Sequence, residues 1–233
     1  MSTIAENIAK VRARIREAAQ ASQRDSTTIG LLAVSKTKPA AAIREAFACG
    51  QRDFGENYLQ EALAKQAELV DLDLIWHFIG PIQSNKTKAL AEHFAWVHSV
   101  DRLKIAQRLS DQRPAHLPPL NICLQVNVSG EASKSGCTPD ELPELARAVT
   151  QLPHLKLRGL MTIPEPNEDP QAQRAPLARL RQLRDELDLG LDCLSMGMSQ
   201  DLEAAVAEGA TWVRIGSALF GARDYSVNKG SES

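Results

Sequence analysis

Lys36 closes the first apolar run of the chain, Ile29-Gly30-Leu31-Leu32-Ala33-Val34-Ser35-Lys36, and Thr37-Lys38-Pro39 lead from it into a helical pattern. An amine at the carboxyl end of a buried strand can lose its proton and attack a carbonyl carbon. For a single lysine the commoner role is an apolar stem lying on the core with its ammonium in water. The far end of the chain separates the two. There Arg214-Ile215-Gly216-Ser217-Ala218-Leu219-Phe220-Gly221 reads as a strand turning through glycine into a helix start. Such a turn offers unpaired backbone N–H groups and a hydroxyl to an anion. Ser199, in Ser195-Met196-Gly197-Met198-Ser199-Gln200-Asp201, holds the corresponding place one strand earlier. Gly216, Ser217 and Ser199 are equally consistent with ordinary helix caps, which use the same N–H groups. Arg214 is consistent with a structural ion pair, yet its place just before the glycine turn aims it at a pocket mouth.

These groups need elements that bring them together. Ile4, Ile8, Val11, Ile15 and Ala18 recur at helical spacing behind a Thr3/Glu6 capping box, so the chain opens on an amphipathic helix. A strand-then-helix alternation follows. Apolar, β-branched runs lie near Leu31–Val34, Arg52–Gly55, Leu74–Ile79, Ala95–Val100, Leu120–Val126, Lys156–Thr162, Leu191–Met196 and Thr211–Ile215. Pro39 starts one intervening helix and Gly50 ends it; Pro139 opens another; Gly190 follows a long charged helix through Arg174 to Leu187; Gly209 ends a short one. Eight such units after one extra helix predict a single-domain (β/α)8 barrel of residues 1–225, with 226–233 as a frayed tail. A doubly wound open sheet fits the count of eight less well. Ile163-Pro164-Glu165-Pro166-Asn167-Glu168-Asp169-Pro170 is the longest irregular stretch, and its prolines suggest a stiff lid or rim.

In a parallel barrel the reactive face is the carboxyl end of the strands. The strands deliver there Lys36; Glu56 and Asn57; His77 and Gly80; His98 and Ser99; Asn127 and the loop to Lys134; Met161 and Thr162; Ser195 to Ser199; and Arg214 to Ser217. Loops after the seventh and eighth strands are the recurrent phosphate site of this fold. A phosphate cup, an arginine and a strand-end lysine together describe a pyridoxal 5'-phosphate site: Schiff base from Lys36, phosphate on Ser199, Gly216 and Ser217, and Arg214 facing the pyridine nitrogen.

The segments AVSKTKP (33–39), FGENYLQE (54–61), WHFIGPIQSNK (76–86), HSVD (98–101), SKSG (133–136), RGLMTIP (158–164) and SMGMSQDLEAAVAEGATWVRIGSALFG (195–221) resemble the pyridoxal phosphate homeostasis protein family. The resemblance runs from about residue 3 to Tyr225. It implies a barrel like the amino-terminal domain of alanine racemase, a Schiff base on Lys36, Arg214 at the ring nitrogen, and phosphate held by Ser199, Gly216 and Ser217. It also implies that Asn57 and His77 line the cofactor.

Pyridoxal phosphate enzymes use the ring as an electron sink, strongest when a carboxylate keeps the pyridine nitrogen protonated. An arginine there favours the neutral nitrogen, because adjacent positive charges repel. Racemases of this fold recruit an opposing base from a second domain, and the sequence ends shortly after Phe220-Gly221. The expectation is therefore a carrier that buffers the cofactor and delivers it to apo-enzymes, with no catalytic residue of its own. A racemase-type enzyme is the alternative, and a scaffold barrel without cofactor a further one. Lys38 and Lys134 are read as surface lysines or as alternative amines during transfer. The hydrolase elbow Gly-x-Ser-x-Gly is absent, since Gln200-Asp201 follow Ser199, and His77, His93, His98, His116 and His154 show no metal-ligand spacing.

Composition agrees with a soluble globular chain: 233 residues, 43% hydrophobic, 24% charged, net charge -2. That balance gives no footprint for nucleic acid. Cys49, Cys123, Cys137 and Cys193 lack close pairing and read as free thiols of a reducing cytosol. The first residues carry too many charges for a signal peptide and no stretch is long enough to span a bilayer, so a cytoplasmic location is expected, as a monomer. Trp76, Trp96 and Trp212 are read as packing residues, and Met196 and Met198 as gap fillers or contacts for the ring.

Overall fold

The structure is a computed structural model describing residues 2–130 and 135–221. Lys134 and the tail from 226 lie outside the described residues. Helix α1 (Ile4–Ala21) precedes strand β1 (Gly30–Val34), and then helices and strands alternate: α2 (Ala40–Ala48), β2 (Asp53–Glu56), α3 (Leu59–Glu68), β3 (Ile75–Phe78), α4 (Thr87–His93), β4 (Trp96–Val100), α5 (Leu103–Gln112), β5 (Leu120–Gln125), α6 (Leu142–Thr150), β6 (Leu155–Met161), α7 (Pro170–Leu187), β7 (Cys193–Ser195), α8 (Leu202–Ala207), β8 (Trp212–Ile215) and α9 (Ser217–Phe220).

All eight strands are parallel and close into one barrel, β1 pairing with β8 through Leu31 opposite Val213 and Ala33 opposite Ile215. Closure removes the free edges that a doubly wound sheet would keep. The two runs with the least strand-like composition, at Arg52 and Lys156, are both strands, because burial outweighs local propensity. Phe54 and Gly55 are enclosed, with Leu32 and Ile79 about the space a Gly55 side chain would fill. Gly159 lets β6 approach β7: a methyl there would lie 1.8 Å from the Cys193 carbonyl oxygen. Gly159→Ala is expected to destabilise the barrel by about 3 kcal/mol, since backbone has to move; an unchanged denaturant midpoint would refute the close approach.

Three helix boundaries differ from the sequence reading. Pro139 stands in a turn and α6 begins at Leu142, because Thr138 and Glu141 exchange capping bonds before the helix starts. The long helix begins at Pro170, one turn before Arg174: Asp169 caps the Gln171 N–H, and Pro170, which has no N–H to satisfy, fits the first position. The Asp201 carboxylate, rather than Ser199, closes the turn before α8 by accepting from the Met198 N–H at 2.6 Å.

Helix α1 forms as its capping box requires, with Glu6 N–H to Thr3 Oγ1 at 3.2 Å and Thr3 N–H to Glu6 Oε2 at 3.0 Å. Its buried stripe, Ile8, Val11, Ile15, Ala18 and Ala19, packs on α8 and α9. Its polar side chains fasten the segments that follow β7 and β8. Arg14 pairs with Glu203 and donates to the Ser199 carbonyl at 3.0 Å, Asn7 donates to the Leu219 carbonyl, and Arg24 donates to the carbonyls of Val206 and Ala210. The extra helix thus braces the two turns expected to hold an anion.

Among the described residues no helix is long and apolar enough to cross a membrane. The four cysteines are free thiols. Trp96 and Trp212 fill the barrel interior beside Cys123, Met161 and Cys193, and Trp76 packs against the main core, as read from the sequence.

Candidate functional site

A cavity of about 390 Å3 opens at the carboxyl end of the strands, the size range of small-molecule sites, roughly 300–1,000 Å3. Lys36, Asn57, Ser199, Arg214, Gly216 and Ser217 line it together. Six of the seven residues singled out in the sequence therefore converge, although they are drawn from four strand ends spread over 180 positions. Lys38 is on the same wall.

Lys36 follows β1 on a turn whose next residue, Thr37, takes a left-handed φ of 62°, unfavourable for a β-branched side chain. A buried ionic cluster holds that turn. Lys65 of α3 donates to the Ser35 carbonyl at 2.7 Å, to Glu56 Oε1 at 2.8 Å and to Glu61 Oε1 at 2.6 Å. Ser35 Oγ donates to Glu56 Oε1, and the Thr37 N–H to Glu61 Oε1. Burial raises the Glu56 carboxyl pKa, with Lys65 and Ser35 pulling it back down. Glu56 Oε2 is buried without a hydrogen-bond partner among the described residues. Sequence reasoning placed Glu56 at a strand end but missed Lys65, for which no signal exists: it sits at an unremarkable helical position and only the fold turns it inward.

On β8, the strand paired with β1, Arg214 is 4% exposed and donates to Ser195 Oγ at 3.0 Å and to the Thr162 carbonyl at 2.8 Å. Burial brings its pKa down to about 10, with Asp201 acting the other way. A guanidinium held by a hydroxyl and a carbonyl keeps its charge directed at the cavity. Gly216 caps α9 and packs on Val34, whose carbonyl oxygen lies 3.3 Å from where a side chain would begin. The first N–H groups of α9 have no acceptor within the helix and so suit an anion. Asn57 Oδ1 is buried and unpartnered among the described residues. Gly80 fits against Asn57, a methyl there falling 2.2 Å from its carbonyl oxygen.

The Ile163–Asn167 stretch lines one side, as a rim or lid would, and Gln173 ties it down through the Asn167 and Gln200 carbonyls. Of the two methionines, Met196 is core and Met198 lines the cavity.

His77 is not on the cavity wall. Its side chain is fully buried inside the barrel, bonded to Asp53 and His98 and stacked on Trp96 with ring centroids 5.4 Å apart. The strand-end assignment fails here because β3 ends at Phe78, so His77 points inward one residue below the rim.

The model of the alanine racemase N-terminal domain matches residues 2–224. A relative from Pseudomonas aeruginosa, "Pyridoxal phosphate homeostasis protein", is 79% identical over 227 residues, covering 97% of this chain and 99% of the relative. This chain belongs to the pyridoxal phosphate homeostasis protein family. Its Escherichia coli K12 member is 54% identical over 97% of this chain and 99% of its own. Among solved structures, PipY of Synechococcus elongatus with PLP bound superposes with a TM-score of 0.83 at 43% identity, covering 94% of this chain and all of PipY. Alanine racemase of Corynebacterium glutamicum, 17% identical with a TM-score of 0.67, shares the fold, and the match spans 63% of that chain. The family's barrel is thus the barrel seen here.

Proposed function

We propose that this protein binds pyridoxal 5'-phosphate as a Schiff base on Lys36 and serves in the cytoplasm as a buffer and donor of the cofactor to apo-enzymes, without robust catalysis of its own. One observation carries the reading: Lys36, Arg214 and the Ser199, Gly216 and Ser217 turns face a single cavity. The relative whose structure has PLP bound, and those named for its homeostasis, support it. The donor set fits the group. It pairs an amine with a hydroxyl-rich anion cup, and adds a buried guanidinium whose partners are a hydroxyl and a carbonyl.

The bound cofactor would supply a reactive aldehyde and a pyridine ring. Lys36 would hold the group through its amine when uncharged, a linkage that would form with loss of water and be undone by water on release. Ser199, Gly216 and Ser217 would hold the phosphate dianion through N–H and O–H donors. Arg214 would donate towards the ring nitrogen and disfavour its protonation, which would weaken the electron sink and suit storage better than carbanion chemistry.

The test is transfer. Protein loaded with the cofactor is mixed with an apo-enzyme that requires it, and recovery of that enzyme's activity is followed. Activity should return in proportion to carrier supplied. Steady amino acid racemisation or α-proton exchange that depends on Lys36 would overturn the carrier role.

A further inference from the structure

Five side chains from five strands form an unbroken hydrogen-bonded line through the barrel. Arg214 Nη1 lies 3.0 Å from Ser195 Oγ. Ser195 Oγ lies 2.7 Å from His98 Nδ1. His98 Nε2 is 2.9 Å from His77 Nδ1, and His77 Nε2 is 3.0 Å from Asp53 Oδ1. Ser195, His98 and His77 have no solvent exposure. His77 lies flat on Trp96 and edge-on to Trp212, which shield it from water. Asp53, with a side chain 25% exposed, ends the line at a second cavity bordered by Arg12 and Arg52 at the opposite end of the barrel.

The two ends dictate the direction. A carboxylate only accepts and a guanidinium only donates. His77 must therefore carry its hydrogen on Nε2 for Asp53, leaving Nδ1 to accept. His98 must then donate through Nε2, leaving its own Nδ1 to accept from the Ser195 hydroxyl. With its hydrogen committed to His98, Ser195 offers only lone pairs to Arg214. A hydrogen on His98 Nδ1 would instead point at Ser195 Oγ and compete with Arg214 for it. Burial lowers the pKa of both imidazoles, against the raising effect of Asp53 on His77 and with the charge of Arg214 adding to the lowering at His98, in agreement with one hydrogen each.

We propose that Asp53, His77, His98 and Ser195 are positioning residues for Arg214, a one-way hydrogen-bond chain that fixes the orientation of the guanidinium at the cavity. The inference rests on the reading of Arg214 as the partner of the ring nitrogen. It also gives His77 a role that reaches the cofactor through three intervening side chains rather than by contact.

The test starts with the 15N-labelled protein without cofactor, by long-range 1H–15N correlation of the histidine rings at neutral pH. Both His77 and His98 should show the Nε2–H neutral tautomer. Ser195→Ala should move the His77 ring signals as well as those of His98, although residue 195 does not touch His77. An Nδ1–H tautomer or a doubly protonated ring at either position, or a His77 signal indifferent to Ser195→Ala, would overturn the chain. Titration with pyridoxal 5'-phosphate then reads its purpose: Ser195→Ala should bind roughly tenfold more weakly, the scale of one lost hydrogen bond, and unchanged affinity would overturn the positioning role. Wild-type tautomers are read without any variant, so a poorly folded Ser195→Ala leaves the idea testable. Tautomers as stated with no covalent trapping on Lys36 would sink the cofactor reading instead.

Discussion

Lys36→Ala is expected to reduce borohydride-trapped cofactor from about one per chain to background. The reason is positional. Lys36 stands two residues beyond the end of β1, on a turn locked at Ser35 and Thr37 by Lys65 and Glu61, so its amine is presented at a defined place on the cavity wall. Lys38 lines the same cavity but stands beyond that turn, and Lys65 has its Nζ in three hydrogen bonds within the ionic cluster. The variant should still bind the cofactor non-covalently, because Ser199, Gly216, Ser217 and Arg214 are untouched. Peptide mass analysis after reduction checks the result. Label on Lys38 in the wild-type chain, or undiminished label in the variant, would defeat the assignment.

Lys65→Met is expected to destabilise the protein by about 3–5 kcal/mol, because it strips a buried carboxylate of its counter-charge. For a chain of this length that corresponds to a fall in Tm of roughly 6–20 °C. The penalty should depend on pH. The Glu56 carboxyl is raised by burial, so its stabilising contribution is full below the unfolded carboxylate pKa and is lost as pH rises through the higher folded value. Removing Lys65 pushes that folded value higher still. Denaturant unfolding should therefore show a smaller gap between variant and wild type near about pH 5 than near about pH 8. A gap independent of pH would mean that Glu56 is not the group left uncompensated. Freed from its anchor at the Ser35 carbonyl, the Lys36 turn should also trap cofactor more slowly.

The barrel and most of the cavity are written in the sequence because both depend on local rules. Strand and helix periods set the eight units, Thr3 and Glu6 set the first helix, and strand-end position alone marks Lys36, Asn57, Arg214 and the Gly216-Ser217 turn. The family resemblance adds the cofactor to that frame. Boundaries were less legible: Pro139 resembles a helix start, yet Thr138 and Glu141 cap one another just before α6 begins at Leu142, and Asp169 draws α7 back to Pro170.

Tertiary structure alone decided which charged and polar residues turn inward. Glu56 is marked in sequence only as a strand-end residue and Lys65 not at all, and they become a buried anchor only because α3 lays one face against the ends of β1 and β2. His77 looks like a cavity residue, and the register of β3 sends it instead into a line joining Asp53 to Arg214. Local periodicity tells which face a residue shares, but a hydrogen bond needs two groups within about 3 Å. Across a closed barrel that distance is set by strand register, which the chain acquires only when the last strand meets the first.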